Sequence, residues 1–267
     1  MTIYQTYWGL KEPPFENVPN RKVFFRSSQH EEALSRLMYA VENRKGAAML
    51  TGEVGSGKTT ISQVMGESLP QDRYLVRTIT NPALSPLDLL RSILYEIGVE
   101  TDSDSKFFLL TKLHDRLQEK QKLGIRTILV VDEAHLIQQR DSLEELRMLL
   151  NMQFEHQFLV TLIILGQPPL LLRIETLLPL KERISVKYHL KPLDLKDTVR
   201  YILFRLKSAG AERGIFTREA IFPLYEYSRG IPLRINNLCD RCMLIGMMKN
   251  AGAIDTGIVN EAIAELE

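Results

Sequence analysis

Residues 52–59 place three glycines, a lysine and a threonine at the spacing of a phosphate-binding loop. Their order fits the pattern G-x-x-x-x-G-K-[ST] at every fixed position. Glycines allow backbone N–H groups to approach an anion closely, and the helix that follows adds partial positive charge. We predict that Lys58 reaches the β- and γ-phosphates of a nucleotide and that the Thr59 hydroxyl holds Mg²⁺. The predicted nucleotide-binding residues of this loop are Gly52, Glu53, Val54, Gly55, Ser56, Gly57, Lys58, Thr59 and Thr60.

A glycine-rich turn that binds nothing is the alternative interpretation of this loop. The apolar run at 47–50 favours a strand before it, and Ile61, Val64 and Met65 recur at helical spacing after it. Strand, glycine loop and helix thus come in the order that phosphate binding requires, so we favour the phosphate-binding loop.

Two carboxylates follow a second apolar stretch. Residues 127–131 are rich in β-branched side chains, which is typical of a fully buried strand, and Asp132 and Glu133 come directly after them. Ligands of parallel sheets bind at the carboxyl ends of the strands. Asp132 would hold Mg²⁺ through water, and Glu133 would act as general base on the attacking water. An apolar run ending in Asp-Glu is weak evidence alone, but about 75 residues after a phosphate-binding loop it predicts nucleotide hydrolysis.

The stretch from Asp132 to His135 also spells the Asp-Glu-Ala-His box of one helicase class. A helicase of that class needs two motor domains, whereas this sequence has one phosphate-binding loop. We therefore do not predict a helicase.

Two further polar residues are candidate site residues, although the sequence patterns around them are less specific. Gln167 follows a predicted buried strand over 158–166. Its side chain could touch the γ-phosphate or the attacking water, or it could be a turn residue before Pro168 and Pro169, and the residues alone leave both interpretations open. Arg183 precedes the last predicted strand. At this position the simplest interpretation is a solvated surface side chain.

Composition places the chain among soluble globular proteins. Its 267 residues are 45% hydrophobic and 25% charged, and the formal net charge is +1. The N-terminus lacks a basic segment followed by an apolar core, and the apolar run 158–166 is far shorter than the ~20 residues of a membrane span. We therefore expect no cleaved signal, no membrane span and a cytoplasmic protein.

Cys239 and Cys242 form a C-x-x-C pair on a predicted amphipathic helix, where packing is a simpler role than redox or metal chemistry.

Strand and helix patterns alternate up to about residue 192, and only helical patterns follow. This order predicts an α/β fold, namely a three-layer phosphate-loop core with a parallel sheet and then a small all-α lid. The predicted segments are an aromatic N-terminal arm over 1–27, the core over 28–192 and the lid over 193–267. The arm could pack on the core or form part of an adenine pocket. Predicted strands are 47–50, 74–79, 127–131, 158–166 and 186–190, and predicted helix caps are Ser28, Ser85, Asp141 or Ser142, and Thr217.

Short motifs along nearly the whole chain resemble AAA+ ATPases, and more narrowly the ExeA/GspA group of secretion ATPases. The phosphate-binding loop is generic, whereas Asn81-Pro82, Gly166-Gln167-Pro168 and Leu238-Cys239-Asp240 are more specific to that group. Further matching pieces are 7–10, 14–15, 30–34, 85–86, 132–134, 182–184 and 230–232 with Asn236.

The resemblance implies an ATP hydrolase that uses Mg²⁺ and works as a homo-oligomer, either a ring or a filament. It implies that Gln167 is the first sensor and that Arg183 is an arginine finger for the neighbouring subunit's γ-phosphate. An arginine supplied from outside a site contributes about 10³–10⁵ in rate in phosphate-loop enzymes. The preference for ATP also comes from the resemblance, because the loop itself recognises phosphates only.

The second-sensor motif departs from the family pattern Gly-x-Pro-Arg. Leu233 occupies the place of the arginine, and Arg234 follows one residue later. One step on a helix turns a side chain by about 100°, so Arg234 binds the phosphates only if the turn before the helix differs from the family's. Longer secretion members continue into a membrane span and a peptidoglycan-binding part, so we do not extend their wall-remodelling role to this chain.

Two other function classes fit the same core. Transposition regulators of the TnsC, MuB and IstB kind are similar and act on DNA, while a nucleotide-gated scaffold would bind ATP with little turnover, which Glu133 argues against. Residues 195–250 hold ten Lys or Arg against five Asp or Glu, a balance that could attract a polyanion. A solvated helical face is the simpler account, because the basic residues are dispersed. The partner, a secretion or pilus component or a transposase, stays open, as does DNA binding.

Overall fold

The computed structural model of the protein describes residues 3–18 and 23–266. Parts of the predicted arm, including Pro19, lie outside these residues. The contacts group the described chain into two compact units. One comprises 29–52 and 58–190, and we call it the sheet unit; the other comprises the described residues up to 28, the turn 53–57 and the residues from 191 onward, and we call it the helical unit. The predicted segment boundaries at 28 and 193 stay predictions.

The sheet unit contains a five-stranded parallel sheet. The strands of the chain are β1 (Ala47–Gly52), β2 (Tyr74–Ile79), β3 (Arg126–Val131), β4 (Gln153–Phe154), β5 (Gln157–Phe158), β6 (Val160–Gly166) and β7 (Ile184–Leu190). The sheet order is β2-β3-β6-β1-β7, and every pairing in it is parallel. β1 and β6 are buried along their whole length, as expected of apolar strands that are covered on both faces. The predicted α/β class with a parallel sheet is confirmed.

Helices connect and cover these strands. They are α2 (Ser28–Glu42), α3 (Lys58–Ser68), α4 (Pro86–Glu96), α5 (Lys106–Lys122), α6 (Arg140–Leu149), α7 (Pro169–Glu175) and α8 (Leu178–Lys181). α3 contacts β1 and β6, α4 contacts β2, and α5 contacts β3. The predicted cap of α4 is present, because the Ser85 hydroxyl accepts a hydrogen bond from the Asp88 backbone N–H at 3.2 Å.

Two local predictions in the sheet unit are wrong. Neither Asp141 nor Ser142 caps α6, which begins at Arg140; Ser142 is buried, and its hydroxyl donates to the Leu84 carbonyl at 3.0 Å. The strand predicted over 158–166 begins only at Val160, because the chain before it forms the β4–β5 hairpin. Two left-handed residues at 155 and 156 make the turn of that hairpin, a conformation that side-chain patterns do not signal.

The helical unit packs the start of the chain together with its last helices. Its helices are α1 (Ile3–Trp8), α9 (Leu195–Ser208), α10 (Ile221–Ser228), α11 (Pro232–Met248) and α12 (Thr256–Leu266). Trp8 is buried, and its Nε1 donates to the Met243 carbonyl at 2.9 Å. Buried Arg205 donates to the carbonyls of Pro14 at 2.6 Å and Glu16 at 2.7 Å. The described part of the arm therefore packs against the helical segment.

Helix α10 begins at Ile221, later than the predicted cap at Thr217 implies. The Thr217 hydroxyl accepts from the Ala220 N–H at 3.4 Å, but residues 218–220 form a turn and the helix follows them. Cys239 and Cys242 are both buried and free in α11, so the prediction of packing residues is confirmed. In 3–18 and 23–266, no helix combines the length and the apolar character that crossing a membrane would take.

Candidate functional site

The glycine loop follows β1 directly and leads into α3. Gly55 and Gly57 have φ values of +75° and +100°, a region that glycine enters without a steric penalty. The Ser56 N–H donates to the Glu53 carbonyl at 3.2 Å, which closes a turn within the loop. Helix α3 begins at Lys58, so the loop ends at a helix N-terminus, as an anion-binding loop requires.

Lys58 and Thr59 lie at the carboxyl end of β1. Lys58 is 4% exposed, and its Nζ donates to the Gly52 carbonyl at 2.9 Å. The Thr59 hydroxyl donates to Asp132 Oδ2 at 2.7 Å, although the two residues are far apart in the chain. The structure thus joins the phosphate-binding loop to the carboxylate that the sequence pairs with it.

Asp132 and Glu133 follow β3 in different environments. Asp132 is buried, and its Oδ1 accepts a hydrogen bond from the Glu133 N–H at 2.8 Å. Glu133 has φ +50° and ψ +34°, the left-handed conformation that few residues other than glycine adopt. Its side chain is 39% exposed. One carboxylate is therefore held by hydrogen bonds, while the side chain of the next is partly exposed, so that a water molecule can reach it.

The oxygen atoms of Thr59 and Asp132 are suitable donors for Mg²⁺. A hydroxyl and a carboxylate are hard oxygen ligands, and Mg²⁺ commonly takes one or two protein ligands while keeping several waters. No group of three or more His, Cys, Asp or Glu residues able to hold a metal occurs among the described residues. The pair thus fits a metal that is held jointly with phosphates.

Gln167 lies at the same edge of the sheet. β6 runs between β3 and β1, so its carboxyl end, with Gln167 after it, lies between the carboxyl ends of those two strands. The backbone is tightly packed here, because a Cβ at Gly166 would lie 3.3 Å from the His135 nitrogen. The carboxyl ends of three adjacent strands thus bring together Lys58, Thr59, Asp132, Glu133 and Gln167.

Comparison with known proteins places the chain in a family. A family model described as AAA domain matches residues 41–174. The chain belongs to the AAA domain family. A curated relative, general secretion pathway protein A of Aeromonas hydrophila, is 38% identical over 268 residues, which cover 99% of this chain and 48% of the relative. This chain therefore spans about half the length of that relative, and the resemblance to the ExeA/GspA group is confirmed for the AAA core.

Solved structures of several other proteins share the fold at low sequence identity. The Aeropyrum pernix ORC1 protein in complex with DNA has a TM-score of 0.71 at 18% identity, covering 96% of this chain and 70% of that one. The Aeropyrum pernix ORC2 protein, in ADPNP-ADP complexes, has a TM-score of 0.68 at 14% identity, covering 93% and 72%. The Thermotoga maritima RuvB Holliday junction branch migration motor has a TM-score of 0.60 at 19% identity, covering 96% and 74%.

The two predicted arginines are not among the residues that follow the carboxyl ends of strands β1, β3 and β6. Arg183 immediately precedes β7 and so lies at the amino edge of the sheet, where its Nη1 donates to the Leu150 carbonyl at 2.9 Å. Arg234 is exposed in the first turn of α11 in the helical unit. Its neighbour Leu233 packs against the loop instead, with its N–H donating to the Gly55 carbonyl at 3.2 Å. The proposed roles of both arginines stay predictions.

The sequence analysis gave no structural role to His135 or Arg173 in the segment after Asp132, and of these two only Arg173 holds the segment by hydrogen bonds. His135 Nδ1 lies 3.2 Å from Glu133 Oε2, on a single turn of 3-10 helix. Arg173 of α7 donates to the His135 carbonyl at 2.6 Å and also to the Ile137 carbonyl. The position of His135 two residues after Glu133 is a signal that could have been used, whereas nothing in the local sequence marks Arg173.

Proposed function

We propose that this AAA domain binds Mg²⁺-ATP and hydrolyses it to ADP and phosphate. The hydrogen bond between Thr59 and Asp132 is the observation that carries the proposal, because it unites the phosphate-binding loop with the metal-binding carboxylate. Glu133 stands next to that carboxylate with its side chain toward solvent, as the general base for a water requires. The family match supports nucleotide binding, and the preference for ATP rests on the resemblance to secretion ATPases.

The residues divide the chemistry among them. Lys58 binds the β- and γ-phosphate oxygens and exchanges its bond to the Gly52 carbonyl for them. Gln167 orients the attacking water, and Glu133 accepts its proton as the bond from the water oxygen to the γ-phosphorus forms. The bond between the γ-phosphorus and the β–γ bridging oxygen breaks, and ADP leaves. Bound Mg²⁺ would neutralise the charge of the phosphates at Thr59 and Asp132. Phosphoryl transfer needs little covalent chemistry from the protein, so positioning and charge dominate.

We further propose that hydrolysis takes place between subunits of a homo-oligomer, with Arg183 supplied to the neighbouring subunit. Arg183 lies at the opposite edge of the sheet from Lys58, which supports a role in a site other than its own. The curated relative, general secretion pathway protein A, supports a secretion or pilus assembly as the partner. Because ATP is a cytoplasmic substrate, we place the domain in the cytoplasm.

A transposition-type ATPase that binds DNA is the second candidate. The basic excess over 195–250 supports it, and so do similar folds in proteins whose structures contain DNA. We expect such binding to need ATP. Because phosphate contacts release counterions, it would also weaken steeply with salt. Fluorescence anisotropy with a labelled duplex, with and without a non-hydrolysable ATP analogue over a salt series, separates the candidates. Binding that requires the analogue favours transposition, and no binding at low salt favours secretion.

Two substitutions test the proposed chemistry. Glu133→Gln keeps the size of the side chain but removes its basicity, so turnover should fall by about 10²–10⁴ while ATP affinity stays unchanged. Lys58→Ala should remove measurable ATP binding, whereas Lys112→Ala, at an exposed lysine of α5, should not. Isothermal titration and a phosphate-release assay measure both effects. Wild-type turnover in Glu133→Gln would exclude Glu133 as the base, and an inactive wild type that binds ATP would favour the nucleotide-gated scaffold.

A further inference from the structure

A cavity of about 330 Å³ lies at the amino edge of the sheet. It forms where helices α2 and α3 end and where strands β2 and β3 begin. Tyr74 and Arg126, the first residues of these two strands, are paired in the parallel ladder and both line the cavity. Lys58 and Asp132 follow the opposite ends of the strands, so this cavity is distinct from the proposed ATP site.

Three arginines line this cavity, together with a single acidic residue. The arginines are Arg44, Arg73 and Arg126, and the acid is Glu42. Within 3–18 and 23–266, neither Arg44 nor Arg126 forms an ion pair with a carboxylate. Arg73 is 3.9 Å from the Asp72 carboxylate, but both side chains are about three-quarters exposed, so water screens that pair. The cavity therefore carries positive charge that no ion pair among the described residues neutralises at Arg44 or Arg126.

Arg126 lies against one wall of the cavity and contacts that wall through its guanidinium group. Its guanidinium carbon lies 5.6 Å from the centre of the Tyr74 ring, and its Nη1 donates to the Tyr74 hydroxyl at 3.2 Å and to the Glu42 carbonyl at 3.1 Å. Nε and Nη2 make no hydrogen bond to any other residue in the described part of the chain. A half-buried guanidinium is thus fixed in orientation while retaining donors for a ligand.

Arg44 occupies a backbone position that usually belongs to glycine. It follows the end of α2 with φ +49°, its N–H donates to the Val41 carbonyl, and the next N–H, of Lys45, donates to the Ala40 carbonyl. This is the hydrogen-bond pattern of a Schellman helix end, where the left-handed residue is commonly glycine. The position at a helix C-terminus and a hydrogen bond to the Gln157 side chain account for one cation here. The helix C-terminus and the Gln157 hydrogen bond do not explain why a second arginine, Arg126, lies beside Arg44.

The two half-buried arginines repel each other in the free protein. Burial, and then the charge of Arg126, lower the pKa of Arg44 below its ordinary value. An anion between the two arginines would replace their repulsion with attraction, because it would pair with both guanidinium groups. Guanidinium forks match phosphate oxygens with two parallel hydrogen bonds, and a cavity of this size has room for a phosphate and an attached group.

We propose that this cavity binds a phosphate group, either in a free phosphate compound or in a nucleic-acid backbone. Arg44 and Arg126 supply the paired donors, Arg73 adds charge at the mouth, and the Tyr74 hydroxyl lies beside them. The apolar side chains of Met38 and Leu69 line the remainder and would lie against the group that carries the phosphate. The proposal does not rest on ATP hydrolysis, since it uses none of the residues at the other edge of the sheet.

The test uses the full chain with the Lys58→Ala substitution, which disables the competing phosphate-binding loop. Isothermal titration with inorganic pyrophosphate probes a free phosphate compound, and anisotropy with a short labelled DNA strand probes a backbone. Arg44→Gly is the informative change, because glycine suits the left-handed backbone, so the fold is kept while the guanidinium is lost. Lys45→Ala is the matched control, since the same charge is removed at the next residue, which is exposed and outside the cavity.

We expect Arg44→Gly to weaken binding of at least one probe by about tenfold or more, the scale of a charge-assisted hydrogen bond. Arg126→Lys, which keeps the charge but loses the fork, should weaken it too, and Lys45→Ala should leave it unchanged. Dependence of pyrophosphate binding on Arg44 indicates a free phosphate ligand, and dependence of DNA binding alone indicates a backbone. Equal affinities of Arg44→Gly and Lys45→Ala, or no binding of either probe at low salt, would overturn the proposal.

Discussion

At the scale of single residues, Gly55 is a tightly packed position of the glycine loop. A Cβ at this position would lie 2.2 Å from the Cβ of Leu233, a separation that real Cβ atoms essentially never show. Leu233 therefore packs directly on the loop, and only glycine fits beneath it. Leu233 supplies no charge, so its contribution here is contact with the loop backbone.

A comparison of substitutions at Gly55 and Gly124 separates the cost of the contact with Leu233 from the cost of a left-handed dihedral angle. Gly55→Ala should destabilise the protein by about 1–3 kcal/mol, because both an overpacked contact and a left-handed alanine are introduced. Gly124→Ala is the control, since Gly124 has φ +77° but a Cβ added there would have no atom of the described residues within 4 Å. Thermal unfolding followed by circular dichroism measures both, and equal melting temperatures for the two variants would contradict the argument.

At the scale of secondary-structure elements, α7 supports the segment that carries Glu133. Arg173 joins the helix to two carbonyl groups, of His135 and Ile137, directly after the strand β3. Glu133 is held in a left-handed conformation in the same segment, and such strain persists only where the surroundings enforce it. The helix that follows Gln167 thereby also anchors the proposed general base.

Removal of this anchor should affect stability and turnover together. Arg173→Ala leaves two carbonyls without their charged donor, so we expect a loss of about 1–3 kcal/mol in unfolding free energy. ATP affinity should change little, because Lys58 and Thr59 belong to another element, whereas turnover should fall as Glu133 shifts. Urea unfolding, titration and phosphate release measure these effects. Arg36→Ala, at an exposed arginine paired with Glu32, is the control and should change none of them.

Helix α11 contains the buried thiols, and its stability should depend on pH through them. Burial raises the pKa of Cys242 to about 12 and also raises the pKa of Cys239. An unfolded thiol has a pKa of about 8.5, so this contribution to stability is complete below that pH and is lost as pH rises toward the folded value. We expect a lower urea midpoint at about pH 9.5 than at about pH 7.5.

A variant without the thiols separates this effect from other titrating groups. Cys239→Ala/Cys242→Ala should be less stable at both pH values, because buried volume is lost, but it should show a smaller decrease between them. Reaction with a thiol reagent near neutral pH should occur only after unfolding. Rapid labelling of both thiols in the folded protein would show that α11 opens and would contradict the argument.

At the scale of the whole molecule, the proposed oligomer depends on Arg183. The arginine lies at the amino edge of the sheet, away from the site residues of its own chain. If it completes a neighbour's site, turnover per molecule should rise with protein concentration. Arg183→Ala should lower turnover by about 10³ or more while leaving ATP affinity unchanged. Phosphate release over a dilution series, with light scattering in parallel, tests this, and flat activity from a monomer would exclude it.

The sequence by itself determined the features that depend on neighbours in the chain. The bounds of β2 agree with the prediction residue for residue, and the Ser85 cap is present, because alternation and capping act over a few residues. The loop 52–59 and the pair Asp132–Glu133 were predicted for the same reason. Their placement at one edge of the sheet followed from strand direction, since parallel strands end together.

Tertiary structure alone decided the contacts between distant residues. Arg173 meets the carbonyl of His135, Leu233 covers Gly55, and Arg44 faces the cavity beside Arg126, although no motif links these partners. The wrong cap prediction for α6 has the same origin, because the Ser142 hydroxyl donates to the distant Leu84 carbonyl and does not cap its own helix. Such choices depend on which surfaces pack together, and that packing is set by the whole fold and not by local spacing.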